Sequence, residues 1–408
     1  MTNSDRKNVI QKVADSYVDR SLFSGIEWVA EKSGKIILSG KSGYQNFKQK
    51  KSIPENAIYR IYSMTKPITS VMALKLVERG KLRLYDPISS FIPAFEKLKV
   101  MKPDGSLEEL NRPIIVEDLL THRSGFTYDF LMGCHVAPLY SERDISDDGN
   151  KSLEDKCNIL SELPLAYQPG SRFNYSVSID VLARVIEIVN EKDFGDTLKE
   201  EIFNPLEMKD TDFGVDDKNL SRLMSTYGAS NFKEIMNIGP HKLEETDVSA
   251  HNPSNKGETF RRGGTGLFST SQDYLSFARM LLSGKSKNGE TLLSRNMVEF
   301  MKINRIPNTQ LPLMLGPLPL AGYGWNLIGR TMLDRGQMMS QTGENEFGWA
   351  GAASTYFWVD PDEDLVGIIM TQYLGSMWPI NDDLRVAMYQ AIDSVSYTHL
   401  TLPTILRV

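Results

Sequence analysis

Apolar residues recur at helical spacing in some segments and run together, rich in β-branched and aromatic types, in others. Over residues 8–22, Val9, Val13, Val18 and Leu22 fall near helical spacing with charges between them, which predicts a helix. Two short apolar runs, 26–30 and 35–38, are divided by Lys32-Ser33-Gly34 and predict a hairpin. Residues 63–79 align Ile68, Val71, Met72 and Leu76 on one stripe, with Gly80 behind them as a C-cap, and predict an amphipathic helix. From about 86 to 290 the chain reads as helices and long loops. There, 114–120 leads into Thr121-His122-Arg123-Ser124-Gly125, and helices are predicted over 178–191, after the Pro169-Gly170 turn, and over 272–283. Strand-like runs return at 323–328, 354–359 and 365–370, with 360–364 as the turn between the last two, and 381–392 reads as a closing helix.

Strands at both ends with helices between them predict an α/β (α+β) fold. One antiparallel sheet, completed by both ends of the chain, is flanked by helices and carries an inserted helical domain. The expected division is 1–85 with 290–393 for the sheet, and 86–289 for the mostly helical part. Residues 394–408 have no helical period and no evident partner strand. They resemble the tail that translated adapter DNA leaves on unrelated chains, so they are expected to be foreign.

Composition narrows the function. At 408 residues the chain is long enough to bury a large core unaided, and a net charge of −6 argues against a nucleic-acid partner. No apolar run reaches the ~18 residues a membrane helix needs, and no signal peptide precedes the first helix, so a cytoplasmic protein without a membrane partner is expected. Five histidines and two cysteines leave little room for a metal site, and no metal or cofactor is expected. Cys134 and Cys157 are expected to be free thiols.

Ser63-Met64-Thr65-Lys66 is the first chemical feature. At a helix start, residues i and i+3 share a face, so the serine hydroxyl lies beside the lysine amine. The serine amide also sits where helix N–H groups are unpaired and can receive an oxyanion. Lys66 can take the serine proton if burial or a nearby cation lowers its pKa. The same spacing at Ser4-Asp5-Arg6-Lys7 and Ser230-Asn231-Phe232-Lys233 reads as surface coincidence. No G-x-S-x-G occurs, so the elbow of an α/β-hydrolase is absent. A triad through His122, His135, His241 or His251 has no motif around it, and His122 reads as a structural turn residue bonded to backbone. Gly40-Lys41-Ser42 only hints at a phosphate loop, because its earlier glycine is misplaced by one position. The apolar stretch 311–320 holds three prolines, which forbid a regular helix or central strand. It reads either as a pocket or interface element or as a buried loop.

From about residue 8 to 393 the chain resembles the serine β-lactamase-like and penicillin-binding-protein family, nearest to class C β-lactamases and family VIII carboxylesterases. Ser63-Met64-Thr65-Lys66 is similar to the family's first motif. Leu119-Leu120-Thr121-His122-Arg123-Ser124-Gly125, residues 169–176 (Pro-Gly-Ser-Arg-Phe-Asn-Tyr-Ser) and residues 263–269 (Gly-Gly-Thr-Gly-Leu-Phe-Ser) are similar to further segments of it. The resemblance implies that Ser63 is the nucleophile, that Lys66 and Tyr175 share the general-base and general-acid work without dividing it between them, and that the backbone N–H groups of Ser63 and Ala352 form the oxyanion hole. Tyr175 falls on the family's second motif, where Val177 replaces an asparagine. Trp349-Ala350-Gly351 falls on the third, where penicillin-recognising members carry a cation; Gln341-Thr342-Gly343 is a rival match.

Trp349, Gly351 and Val177 are therefore expected to line the substrate site. The loss of a cation and of an amide favours a neutral acyl ester over a β-lactam. The expected function is a carboxylesterase for short-chain esters, working as a monomer or homodimer on a small-molecule substrate. The alternatives are a β-lactamase or D-aminopeptidase-type amide hydrolase, an acyltransferase, and a catalytically dead binding domain.

Overall fold

The computed structural model describes residues 3–146, 149–235, 243–256 and 261–392. The expected foreign tail, His241 and His399 lie outside the described residues. So do the side chains of Ser4 and Lys7.

An antiparallel sheet organises the molecule. It is built from β1 (Gly25–Lys32), β2 (Lys35–Asn46), β3 (Lys51–Ser52), β4 (Tyr323–Trp325), β5 (Arg330–Met332), β6 (Phe347–Ala350), β7 (Tyr356–Asp360) and β8 (Leu365–Met370). Their order is β4-β5-β6-β7-β8-β1-β2-β3, so the two ends of the chain meet where β8 pairs with β1, Trp28 facing Ile369. The central strands are buried on both faces, which is why they read as near-continuous apolar runs. In β7 the period of two sends Phe357 and Val359 into the main core, and Tyr356 and Trp358 into a second core on the other face.

Helices cover both faces. The second core lies under α1 (Asn3–Asp19) and the closing helix Ile380–Ile392. The main core joins the sheet to α2 (Thr65–Glu78), α3 (Leu153–Ser161), α4 (Ser178–Asn190) and α5 (Ser271–Ser283), and the closing helix is α6. The first helix ends at Asp19 rather than 22, because Ser21 turns into the left-handed region. The strand expected over 323–328 stops at Trp325, where the Asn326 side chain takes the N–H groups of Ile328 and Gly329 in a turn. Gly40, Lys41 and Ser42 lie inside β2, as a hairpin strand and not a phosphate loop.

The amphipathic reading of α2 is corrected. Every residue from Thr65 to Leu76 is buried, so the helix has no solvent face. Its polar side chains tie it to the segment 263–267 instead. Thr69 Oγ1 donates to the Gly263 carbonyl at 2.7 Å, Lys66 Nζ to that of Gly264 at 2.8 Å, and Thr65 Oγ1 accepts the Leu267 N–H at 3.1 Å.

Residues 311–320 form a hairpin of their own, Leu313–Leu315 against Leu318–Leu320, set apart from the main sheet, where prolines are tolerated. Leu313 is buried, and Leu311, Leu315 and Leu320 pack on the main core. Cys134 and Cys157 are buried free thiols. Among the described residues no helix is long and apolar enough to cross a membrane, and no group of three or more His, Cys, Asp or Glu could hold a metal.

Candidate active site

Ser63 sits in a 3-10 turn, Tyr62–Met64, that runs directly into α2. It is partly exposed between two fully buried neighbours. Tyr62 holds φ at +43°, which costs a non-glycine residue roughly 1–3 kcal/mol. Packing fixes it there: its ring lies edge-on to Phe232 at 5.8 Å, and its hydroxyl is 3.3 Å from His251 Nε2. Tyr274 on α5 donates to the Met64 carbonyl at 2.8 Å and pins the far side of the turn.

Lys66 follows on the first turn of α2. Its Nζ lies 3.1 Å from Ser63 Oγ. It is buried, and it lies 4.7 Å from the ring centre of Tyr175 and 5.3 Å from that of Tyr128. Burial lowers its pKa to about 7; the pull of Asp180 opposes this and the push of Lys156 assists it. A fraction of the amine is therefore free at neutral pH, with a lone pair beside the serine hydroxyl.

Tyr175 precedes α4 in a box of aromatic rings. His122 lies 4.6 Å away, Trp349 5.3 Å and Tyr128 5.4 Å. The Trp349 indole N–H donates to its hydroxyl at 3.0 Å. Burial pushes the Tyr175 phenol well above its usual value, only partly offset by hydrogen bonds with Ser63 and Trp349. The phenol keeps its proton at neutral pH and is a donor.

The three nearby described histidines have other partners. His122 is in the left-handed region and its Nδ1 accepts the Ser176 N–H at 3.2 Å, the backbone-bonded turn role expected of it. Burial and the charge of Lys66 hold His122 well below the usual histidine range, so it stays neutral. His135 Nε2 lies 2.6 Å from the Met101 carbonyl, and His251 faces Tyr62.

Inside the sheet, between β5 and β7, β6 carries Trp349 to the box and ends beside the serine turn. A Cβ on Gly351 would lie 2.3 Å from the Ile61 carbonyl oxygen and 2.2 Å from Thr355 Oγ1, so only glycine allows this approach. Ala352 follows, packed on the same small cluster as Tyr62. The rival Gln341-Thr342-Gly343 lies elsewhere: Gly343 abuts the Asp360 carboxylate and the Tyr389 hydroxyl of α6. Val177 is wholly buried in the main core at the N-cap of α4. In the Ser230–Lys233 match the serine and the lysine are both exposed, with Ser230 Oγ donating to Glu234 at 2.7 Å.

Four participants have no counterpart in the sequence reading. They are the Gly264 carbonyl that receives Lys66, the Tyr128 ring beside it, and a buried ion pair, Lys156–Asp180 at 3.0 Å. The one signal available was a carboxylate, Asp180, set in the apolar run of α4.

Ser63 is thus set beside a buried amine, a buried tyrosine and the end of a strand. Residues 10–391 match the family model described as Beta-lactamase. An uncharacterised protein of Mycobacterium tuberculosis is 30% identical over 371 residues, covering 87% of each chain. Esterase EstB of Burkholderia gladioli is 30% identical over 199 residues, 48% of this chain and 48% of its own. Among solved structures, EstCE1, described as a hydrolase with promiscuous acyltransferase activity, superposes with a TM-score of 0.80 at 22% identity, over 95% of this chain and 99% of its own. With the family match spanning nearly the whole chain and the first-motif serine and lysine meeting in space, the chain belongs to the beta-lactamase family.

Proposed function

We propose that the protein is a serine hydrolase of short-chain carboxylic esters, acting through an acyl-enzyme on Ser63. The observation that carries the reading is the buried Lys66 amine, lowered to about 7 and 3.1 Å from Ser63 Oγ. As Oγ attacks the ester carbonyl carbon, its proton passes to Lys66. The carbonyl electrons move onto oxygen, which the N–H groups of Ser63 and Ala352 receive. Collapse breaks the acyl C–O bond. Tyr175 gives its proton to the leaving alkoxide, and the Lys66 ammonium returns one to Tyr175. Water then repeats the attack on the acyl-enzyme, with Lys66 free again as the base.

Two features favour an ester over a β-lactam. Trp349 offers an indole where a cation would attract a drug carboxylate, and its N–H is engaged with Tyr175. Val177 is buried and brings no amide to the cleft. Hydrolysis of p-nitrophenyl acetate and butyrate is compared with that of nitrocefin. Ester kcat/KM is expected to exceed nitrocefin kcat/KM by at least about 100-fold, roughly the worth of one lost charged contact; the reverse order overturns the substrate assignment. A phosphonate should label Ser63 alone by mass spectrometry, and a label elsewhere overturns the mechanism.

Acyl transfer is the second reading, favoured by the fold shared with EstCE1. It differs only in the acceptor, and a transesterified product on adding an alcohol would reveal it.

A further inference from the structure

Beyond the serine, lysine and tyrosine, three buried charged side chains from separate segments converge behind the nucleophile. Lys66, Lys156 and Asp180 are 1%, 3% and 2% exposed. Lys156 Nζ on α3 lies 3.0 Å from Asp180 Oδ2 on α4. The other oxygen, Oδ1, accepts the Gly264 N–H at 2.8 Å. The carbonyl of that same residue accepts from Lys66 Nζ at 2.8 Å. The order is therefore Lys156, Asp180, Gly264 backbone, Lys66, Ser63. A Cβ on Gly264 would lie 3.0 Å from the Tyr128 hydroxyl, 3.2 Å from Asp180 Oδ1 and 3.3 Å from Lys66 Nζ, so the backbone is closely enclosed by the groups it joins.

We propose that Asp180 is a positioning residue of the hydrolytic site. It fixes Gly264 so that its carbonyl holds the Lys66 amine against Ser63, while Asp180 and Lys156 act on Lys66 with opposite sign. The inference rests on the serine-hydrolase reading. Asp180 attracts the Lys66 ammonium and Lys156 repels it. The remaining groups around Lys66 do not reproduce that opposition. Tyr175 and His122 are both kept neutral at pH 7 by burial. Arg262, in the segment beside Gly264, is a cation that acts on Asp180, and Asp129 exchanges attraction with Lys156. Asp180 itself is lowered: burial would raise it, but Lys156, Arg262, Lys66 and the Gly264 N–H outweigh that.

The opposed signs make the test specific. Asp180→Asn keeps an acceptor for the Gly264 N–H but removes the negative charge, so the ammonium of Lys66 is less favoured and the acidic limb of activity moves down, by about one pH unit. Lys156→Met removes the repulsion and moves the limb up. The double variant, with both charges gone, returns it towards wild type. The readout is the pH dependence of the rate at which a phosphonate labels Ser63, which needs no ester turnover. A purely structural role lowers the rate at every pH and moves no limb. Coincident limbs, or two singles shifting the same way, overturn the proposal.

Each single change strands a buried charge, so a second pair of variants covers failure to fold. Lys156→Met with Asp180→Leu removes the acceptor for Gly264 and should label at least about tenfold more slowly than Lys156→Met with Asp180→Asn, a typical worth of one buried hydrogen bond. Equal rates overturn the positioning role. If the phosphonate does not reach Ser63 in the wild-type protein, the hydrolase reading fails and the proposal with it; if it does and the variants do not differ, only the proposal fails.

Discussion

Lys66 and Tyr175 are both buried, yet burial acts on them in opposite chemical directions. A low-dielectric setting disfavours the charged form of each group. For the lysine that frees the amine, at a pKa lowered to about 7, and for the tyrosine it retains the proton. In the proposed reaction this sorts the pair into base and acid, which motif spacing alone leaves open. Because the ammonium form cannot accept the serine proton, ester kcat/KM should fall below about pH 7, approaching tenfold per pH unit. Lys66→Arg, whose guanidinium does not lose its proton, should reduce kcat by about 10³-fold at every accessible pH. A rate for that variant within tenfold of wild type would exclude Lys66 as the base. Trp349→Phe keeps a ring in the aromatic box but loses the donor to Tyr175. It should lower kcat by up to about tenfold, the usual worth of one hydrogen bond, with little effect on folding. An unchanged kcat would mean that the indole serves only to fill space.

Among the elements, the junction between β6 and the serine turn carries the most constraint. Gly351→Ala would drive a methyl to within 2.3 Å of the Ile61 carbonyl oxygen, so either the strand end or the turn must shift. Small displacements of oxyanion donors are costly, and a fall in kcat of about 10²-fold is expected with far-UV circular dichroism unchanged. Retained activity would place the second donor elsewhere than Ala352. The same junction shows what sequence can and cannot convey. Ser63 and Lys66 are legible because they form a short local pattern with its own chemistry, and Tyr175 is legible only through the resemblance to the family's second motif. The sheet was legible too, since strands buried on both faces read as apolar runs. The tie from Lys66 to Gly264 was not, as it joins residues 198 apart and uses a backbone carbonyl that no side-chain pattern marks. Residues 311–320 resisted for another reason: their prolines exclude a central strand but say nothing of a separate hairpin. The helix α2 was misread because its polar residues, Thr65, Lys66, Thr69 and Lys75, suggest a solvent face and instead bond inward, Lys75 to the Glu201 carbonyl at 2.6 Å.

Across the whole molecule, the sheet separates two buried polar systems with different tasks. The site-facing side holds Ser63, Lys66 and Asp180. On the other side, Arg385 of α6 donates to Glu346 Oε1 at 2.8 Å and to the Tyr356 hydroxyl at 2.9 Å, and Tyr389 donates to Asp360 at 2.7 Å. Arg385 and Glu346 are both wholly enclosed, and they fasten α6 to the start of β6 and, through the Tyr356 hydroxyl, to β7. None of these groups touches the reacting atoms, so their contribution is to stability. Arg385→Met leaves the Glu346 charge buried without its partner, which typically costs about 3–5 kcal/mol. The urea midpoint should drop accordingly, while the acidic limb of kcat/KM, set by groups across the sheet, stays where it is in the wild-type protein. Adding Glu346→Leu removes the stranded charge and should recover much of the lost stability, because well-packed apolar residues often replace a buried ion pair without penalty. If Arg385→Met instead moved the pH limb while leaving the urea midpoint unchanged, the two faces of the sheet would be coupled electrostatically, and the separation of tasks inferred from the fold would be wrong.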